Sequence, residues 1–444
     1  MSEPTELTID LLRDLVAGEA VALRGTATLE PAGGPNDKVF PPTHSVRGKK
    51  DDDLLRMKPD DRRGIKYAFE TRRIDRQDVN CVLLDSVQSQ ANRMEEALQA
   101  LWADKRIALP VISVDFSEVA PDVGTVTSLS APHRVADALL RDSLTAEGTL
   151  FRLSPLGQSF TDATAKNAEA LFTVCPTGLV FGLWDSTGPR GGLGAKFARS
   201  LVSEIVGIGA TVGSKTASRI DPASIVTNAG PVFVARELGA DGMPTWTHDV
   251  MAAKPIKADK PPKTSDDVDL VEKWGTADKA GKPTAINHSN IPPTIDDIAG
   301  GVTIDSATHT VVLSLAALRK LSFGGQREDD VQARTVLTAL GLLAVLGAGD
   351  RGHDLRSRCL LVPKEGKALK WHAVGRDGTT REFRLDFEGA VALYAAAVAK
   401  LPERLRFSKK PGEPLATLTP SPKLAHLVKK SRALAAVGAD VGDE

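Results

Sequence analysis

Two long polar stretches constrain this chain more than anything else in it. Residues 31–66 hold Pro31, Gly33, Gly34, Pro35, Pro41 and Pro42, then the charge-dense run RGKKDDDLLRMKPDDRRG. Residues 251–283 carry seven lysines, six acidic residues and few large apolar ones. Neither stretch can lie in a core, and both exceed the ~12–15 residues beyond which a loop is functional or disordered. The core must therefore be assembled from discontinuous segments around them. The second stretch reads as a flexible, lysine-rich arm, and the tail 411–444 as poorly ordered.

The remaining segments alternate between two periods. TIDLLRDLV predicts a short helix behind a Thr cap, and AVALRGTATLE a strand. Leu83, Val87, Met94, Leu98 and Leu101 recur at helical spacing and predict a helix over about 86–102, with Asp85 or Ser86 as its cap. VISVDFSEV reads as a strand and RVADALLRDS as a helix. TDATAKNAEALF reads as a helix capped by Thr161 or Asp162, and GLVFGLWDS as a buried strand. AKFARSLVSEIVGI reads as a helix after the Gly-rich TGPRGGLG. THTVVLSLAALRKL reads as strand then helix, VQARTVLTALGLLAVLG as a core helix, LRSRCLLVP as a strand and FEGAVALYAAAVAKL as a helix. Alternation of this kind points to an α+β or α/β core. No repeat of 20–50 residues is visible.

The chain has 444 residues, 42% apolar and 25% charged, enough for two or three domains or one with large insertions. Cys81, Cys175 and Cys359 are too few and too scattered for a disulfide framework. The acidic start MSEPTELTIDLLRDLV lacks a signal-peptide pattern, and no run approaches 18 uninterrupted apolar residues. The expectation is a cytosolic chain with no membrane partner. Net charge is −1, but it is segregated. Residues 47–76 carry 11 Lys/Arg against 7 Asp/Glu, residues 190–219 carry 5 against 1, and residues 400–432 carry 9 against 2. The first twenty carry 1 against 5. A polyanion remains a possible partner if the basic segments converge, and solvated loops and helix faces account for the same counts. Lys49, Lys50, Arg72, Arg73, Arg190, Lys196 and Arg199 are the candidate contacts those segments supply.

Short catalytic motifs fail on context. The segment 347–352, GAGDRG, matches a dinucleotide fingerprint, but a helix precedes it and a strand follows, so it reads as a helix end and turn. GSKT at 213–216 lacks the P-loop spacing. Its surroundings, GIGATVGSKTASRID, still offer backbone N–H groups with Ser214, Lys215 and Arg219 to a phosphate, or form a plain glycine turn. The eight histidines show no metal-ligand spacing, and no metal or other cofactor is expected. Acidic doublets such as Asp296-Asp297 suit caps better than magnesium. The pattern favours a binding protein over an enzyme.

Three segments are more specific than these motifs: VNCVLLDSVQSQANRMEEAL, SAPHRVADALLRDS and GGLGAKFARSLVSEIVGIGATVGSKTASRIDP, spanning about residues 79–222. In this order they resemble the guide-RNA-binding backbone subunit of CRISPR Cascade complexes (RAMP superfamily), in the type I-U, or I-G, branch. The resemblance implies a single α+β domain, an RRM-like (ferredoxin-like) palm with finger and thumb insertions, 31–66 or 251–283 being candidates for the thumb. It implies partners too: crRNA, target DNA through the guide, further copies in a filament, and the large and guide-end capping subunits. Ser86, Gln88, Ser89, Asn92 and Arg93 stand where related subunits hold guide phosphates, at a helix start whose N–H groups suit an anion. With only 5% aromatic residues, binding is expected to rest on phosphates. Two other readings stay open. One is a metal-dependent ribonuclease of the same superfamily using Asp51, Asp52 or Asp53, and the other a phosphate-binding enzyme built on the glycine loop.

Overall fold

The computed structural model describes residues 4–186, 195–240, 242–276 and 279–436. The chain divides into two compact units. The first comprises residues 1–43, 67–212 and 301–424, and the second 44–66, 213–300 and 425–444.

The first unit is organised by one mixed sheet. In chain order its main elements are α1 (Ile9–Ala17), β1 (Ala20–Pro31), β2 (Phe69–Ile74), β3 (Gln77–Asp85), α2 (Val87–Ala103), β4 (Leu183–Trp184), β5 (Lys196–Phe197) and β6 (Leu201–Ile208). In the second unit β7 (Lys215–Arg219) and β8 (Ile291–Asp296) follow. The first unit resumes with β9 (Ser306–Ser314), α3 (Arg327–Asp350), β10 (His353–Arg356), β11 (Cys359–Pro363), β12 (Lys370–Gly375), β13 (Thr380–Arg384) and α4 (Phe387–Ala399). The strand order is β13-β12-β1-β9-β6-β3-β2, with the short strand Thr5–Glu6 outside β13 and β11 on the end of β1. Within it, β1, α2, β6, β9, α3 and β12 form a β-α-β-β-α-β path whose four strands lie in the order fourth, first, third, second, all antiparallel. The β2–β3 hairpin is inserted ahead of α2 and extends the edge beside β6.

Alternation decides which face is covered. Leu23, Leu313 and Leu201 lie in one row, and Ala27, His309 and Ile205 in another, all buried. Both long helices sit on this face. Gly341 of α3 lies so close to the Leu313 side chain that an added Cβ would approach within 3.1 Å, and Gln90 of α2 accepts from the Ser203 hydroxyl at 2.8 Å. The opposite face is polar and half-exposed, with Thr26, Thr28, Thr308, Thr310 and Glu204. Helix α3 is apolar on nearly every side, as a helix enclosed by α1, α2 and α4 must be. It is the one described helix long and apolar enough to cross a membrane, and 83% of that window is buried in this unit.

In the second unit β7 and β8 pair as a two-stranded ribbon with Ile220, Ile291 and Ile295 exposed along it. Two small cores lie in the stretch between these strands: Phe233 with Val250, Ala253 and Val271, and Trp274 with Val232 and Val234.

Several expectations are corrected. AKFARSLVSEIVGI is not a helix. Residues 201–208 form a central strand, because Leu201, Ser203 and Ile205 alternate inward and Gly207 lies against Ile304 and Val82. TDATAKNAEALF is irregular until a short helix at Glu169–Val174, and RVADALLRDS gives only two short turns. GLVFGLWDS is a helical turn at Thr177–Phe181 followed by β4. The 251–283 arm folds back on the 232–234 segment, since its few apolar residues, Val271 and Trp274 among them, find partners there. In the tail, Ala416–Pro420 pairs in parallel with Ile112–Asp115, with Leu418 fully buried, and Pro422–Ala436 is helical.

Candidate nucleic-acid interface

Helix α2 begins where the sequence places it. Ser86 is the N-cap, its hydroxyl accepting from the Ser89 N–H at 3.2 Å. Its first turns are fixed to the sheet by a buried carboxylate. Asp85, fully buried, accepts from Ser89 Oγ at 2.8 Å, Gln90 Nε2 at 2.7 Å, Arg93 Nε at 3.0 Å and Arg356 Nη2 at 3.2 Å. Gln90 continues the chain to Ser203, whose hydroxyl meets His309 Nε2 at 2.9 Å. Burial, and after it the neighbouring His353, pulls the His309 pKa down to about 3, so this imidazole stays neutral. Arg93 also donates to the carbonyls of Asp354 (3.3 Å) and Leu355. Ser89 and Arg93 thus have intramolecular partners, whereas Gln88 and Asn92, one turn apart, are exposed on the outer face.

That outer face borders an open cleft of about 600 Å³ lined by Gln88, Asn92, His133, Trp184, Lys196 and Arg199 among others. Strand pairing shapes its far wall. Across the β4–β5 ladder, Leu183 faces Phe197 and Trp184 faces Lys196. Leu183 and Phe197 turn into the core, so the pleat aims Trp184 and Lys196 outward together. Trp184 is 56% exposed, and the Lys196 ammonium stands 5.3 Å from its ring centre. Just before β4, Gly182 has φ +90, a conformation that L side chains rarely adopt, and a Cβ there would come within 3.0 Å of the Arg199 stem. Gly182 therefore turns the chain and leaves room for that arginine.

Beneath the cleft, Arg134 and Glu95 form a bidentate pair, both oxygens at 2.7 Å, and Arg134 donates to the Gly182 carbonyl at 2.9 Å. Burial pushes the Glu95 carboxyl up to about 7 despite the opposing pull of Arg134. Arg199 is half-buried; burial and then the Arg134 charge lower its pKa, with Glu95 acting in the opposite sense. Among the described residues, the Lys196 and Arg199 side chains make no hydrogen bond or ion pair, and no carboxylate lines the cleft. Such a surface attracts an anion.

The remaining expected contacts lie elsewhere. Arg72 and Arg73 are not in a loop. They belong to edge strand β2, where Arg72 pairs with Glu204 at 3.0 Å and with Glu70, and Arg73 with Asp78 at 2.9 Å. In the second unit Lys215 pairs with Asp296 at 3.2 Å, Arg219 donates to the Asn287 carbonyl at 2.5 Å, and Ser214, Lys49 and Lys50 are exposed. Asp53 accepts the Lys50 N–H at 3.0 Å as part of a cap. Arg190 and the side chains of Asp51 and Asp52 lie outside what is described. Among the described residues no group of three His, Cys, Asp or Glu could hold a metal ion.

Residues 23–212 match the family model described as CRISPR-associated protein GSU0053. The similarity is to a CRISPR-associated protein. It supports a role in a CRISPR system, and the matched stretch runs from β1 through β6 and contains every residue lining the cleft. No curated protein matches the chain. Sequence reasoning did not single out His133, Arg134 or Trp184. Trp184 was hidden in a segment read as a buried strand, although the Asp-Ser-Thr-Gly-Pro that follows it marks the end of an element, where a side chain can emerge.

Proposed function

We propose that this chain is a non-catalytic crRNA-binding backbone subunit of a Cascade complex, of the type I-U or I-G branch. It polymerises along the guide, holds its phosphates and presents the spacer for pairing with target DNA, in the cytoplasm with the large and guide-end capping subunits. The carrying observation is the cationic cleft, with no carboxylate among its described lining residues, inside the stretch that matches a CRISPR-associated family. Its cations reach phosphates rather than base edges, which suits a subunit that must accept any guide sequence. The β-α-β-β-α-β path with its fourth-first-third-second order supports an RRM-like palm. The exposed β7–β8 ribbon, inserted between β6 and β9, is our candidate for the thumb.

Co-purification tests the reading. Chain isolated from cells expressing a CRISPR array should show a raised A260/A280 ratio that ribonuclease abolishes. A nucleic-acid-free chain that leaves single-stranded RNA unshifted would contradict it. Magnesium-dependent RNA cleavage lost on Asp53→Ala would replace it with the ribonuclease reading.

A further inference from the structure

Charge alone does not account for the cleft. A phosphate grip needs lysine, arginine and free N–H groups; it does not need an indole held in water. Exposing Trp184 forgoes much of the ~1.5–3 kcal/mol that burying a large apolar side chain contributes. The chain nevertheless aims it outward by the β4–β5 register, with its cross-strand partner Lys196 against the ring. The walls beside it carry Lys196, Arg199 and His133, with no carboxylate among the lining residues, and Gln88 and Asn92 add neutral donors and acceptors. An exposed aromatic face flanked by unneutralised cations fits a ligand that joins a flat π-surface to an anion.

The geometry points to Trp184 as a stacking platform for one unstacked base of bound single-stranded RNA, an inference that rests on the RNA-binding reading above. Every base has a π-face, so such a platform adds affinity without sequence preference. The same Lys196 ammonium that touches the indole then lies within reach of the phosphate joined to that base. The overall scarcity of aromatics does not oppose this, since one exposed ring per subunit is sufficient.

The test measures affinity of the full chain for two probes at one salt concentration: single-stranded oligoadenylate, and an abasic ribose-phosphate oligomer of equal length. Trp184→Ala should weaken oligoadenylate binding about 5- to 150-fold, the range that loss of one stacked base gives. Trp184→Phe should recover most of that loss, and the abasic probe should bind wild type and both variants alike. The indole is mostly in solvent, so the thermal unfolding profile should be unchanged. Equal oligoadenylate affinity of Trp184→Ala and wild type would overturn the inference. So would an equal loss on the abasic probe, which would make Trp184 a support for Lys196 only. Wild type that binds neither probe would remove the RNA reading itself, and the platform with it.

Discussion

Replacing Arg93 with alanine separates the two roles that its position allows. In the structure its Nε lies 3.0 Å from a fully buried Asp85 carboxylate, and its Nη atoms cap two carbonyls of β10. Removing one member of a buried pair costs ~3–5 kcal/mol, because the other charge is left without its partner. Here Arg356, at 3.2 Å, and two neutral donors remain, which reduces the loss. The orphaned Asp354 and Leu355 carbonyls add a smaller cost, at sites where water can reach. The expected destabilisation is on the order of 2–4 kcal/mol. Denaturant unfolding of the full chain measures it, and a cycle with Asp85→Asn should be strongly non-additive because the two residues share one network. RNA binding by the folded variant should fall far less than its stability. Unchanged stability together with lost RNA binding would refute the argument and return Arg93 to the phosphate backbone.

Two further outcomes follow from packing and titration. Gly207→Ala should destabilise the first unit by ~1–3 kcal/mol, since its Cβ would meet Ile304 at 2.8 Å and Val82 at 3.0 Å; denaturant melts check it, and a neutral result would contradict the central-strand assignment of 201–208. Glu95 has its folded pKa raised from 4.5 to about 7, so its contribution to stability is full below pH 4.5 and is lost as pH rises through 7. Glu95→Gln should flatten the stability profile across that window, as unfolding at several pH values would reveal.

The sequence made the fold most legible where one period dominated. The capped helix at 86–102, the strand at 20–30 and the apolar helix after Val331 each announced themselves by spacing that only one structure satisfies. It misled where an alternating and a helical pattern coincide. In SLVSEIVGI the apolar residues fit both periods, and only the neighbouring strands β3 and β9 decide for a strand. The candidate site was legible in part. Gln88, Asn92, Lys196 and Arg199 come together in one cleft. Arg72 and Lys215 instead meet carboxylates from distant segments: Glu204, which lies 132 residues from Arg72, and Asp296 across the β7–β8 ladder. Arg73, Ser89 and Arg93 meet the nearby Asp78 and Asp85, which the β2–β3 pairing and the start of α2 turn toward them. Lysine-rich composition likewise hid the Trp274 and Val271 packing, since two or three apolar residues suffice for a small satellite core.

The most direct test of the central claim is the salt dependence of guide-RNA binding by a Lys196→Glu/Arg199→Glu variant. Both side chains face the cleft and neither holds an ion pair among the described residues, so the fold should be retained. The account predicts weaker binding for all guide sequences alike and a shallower slope of log affinity against log salt, by roughly one unit per phosphate contact removed. An unchanged affinity and slope in a folded variant would show that the guide does not run through this cleft.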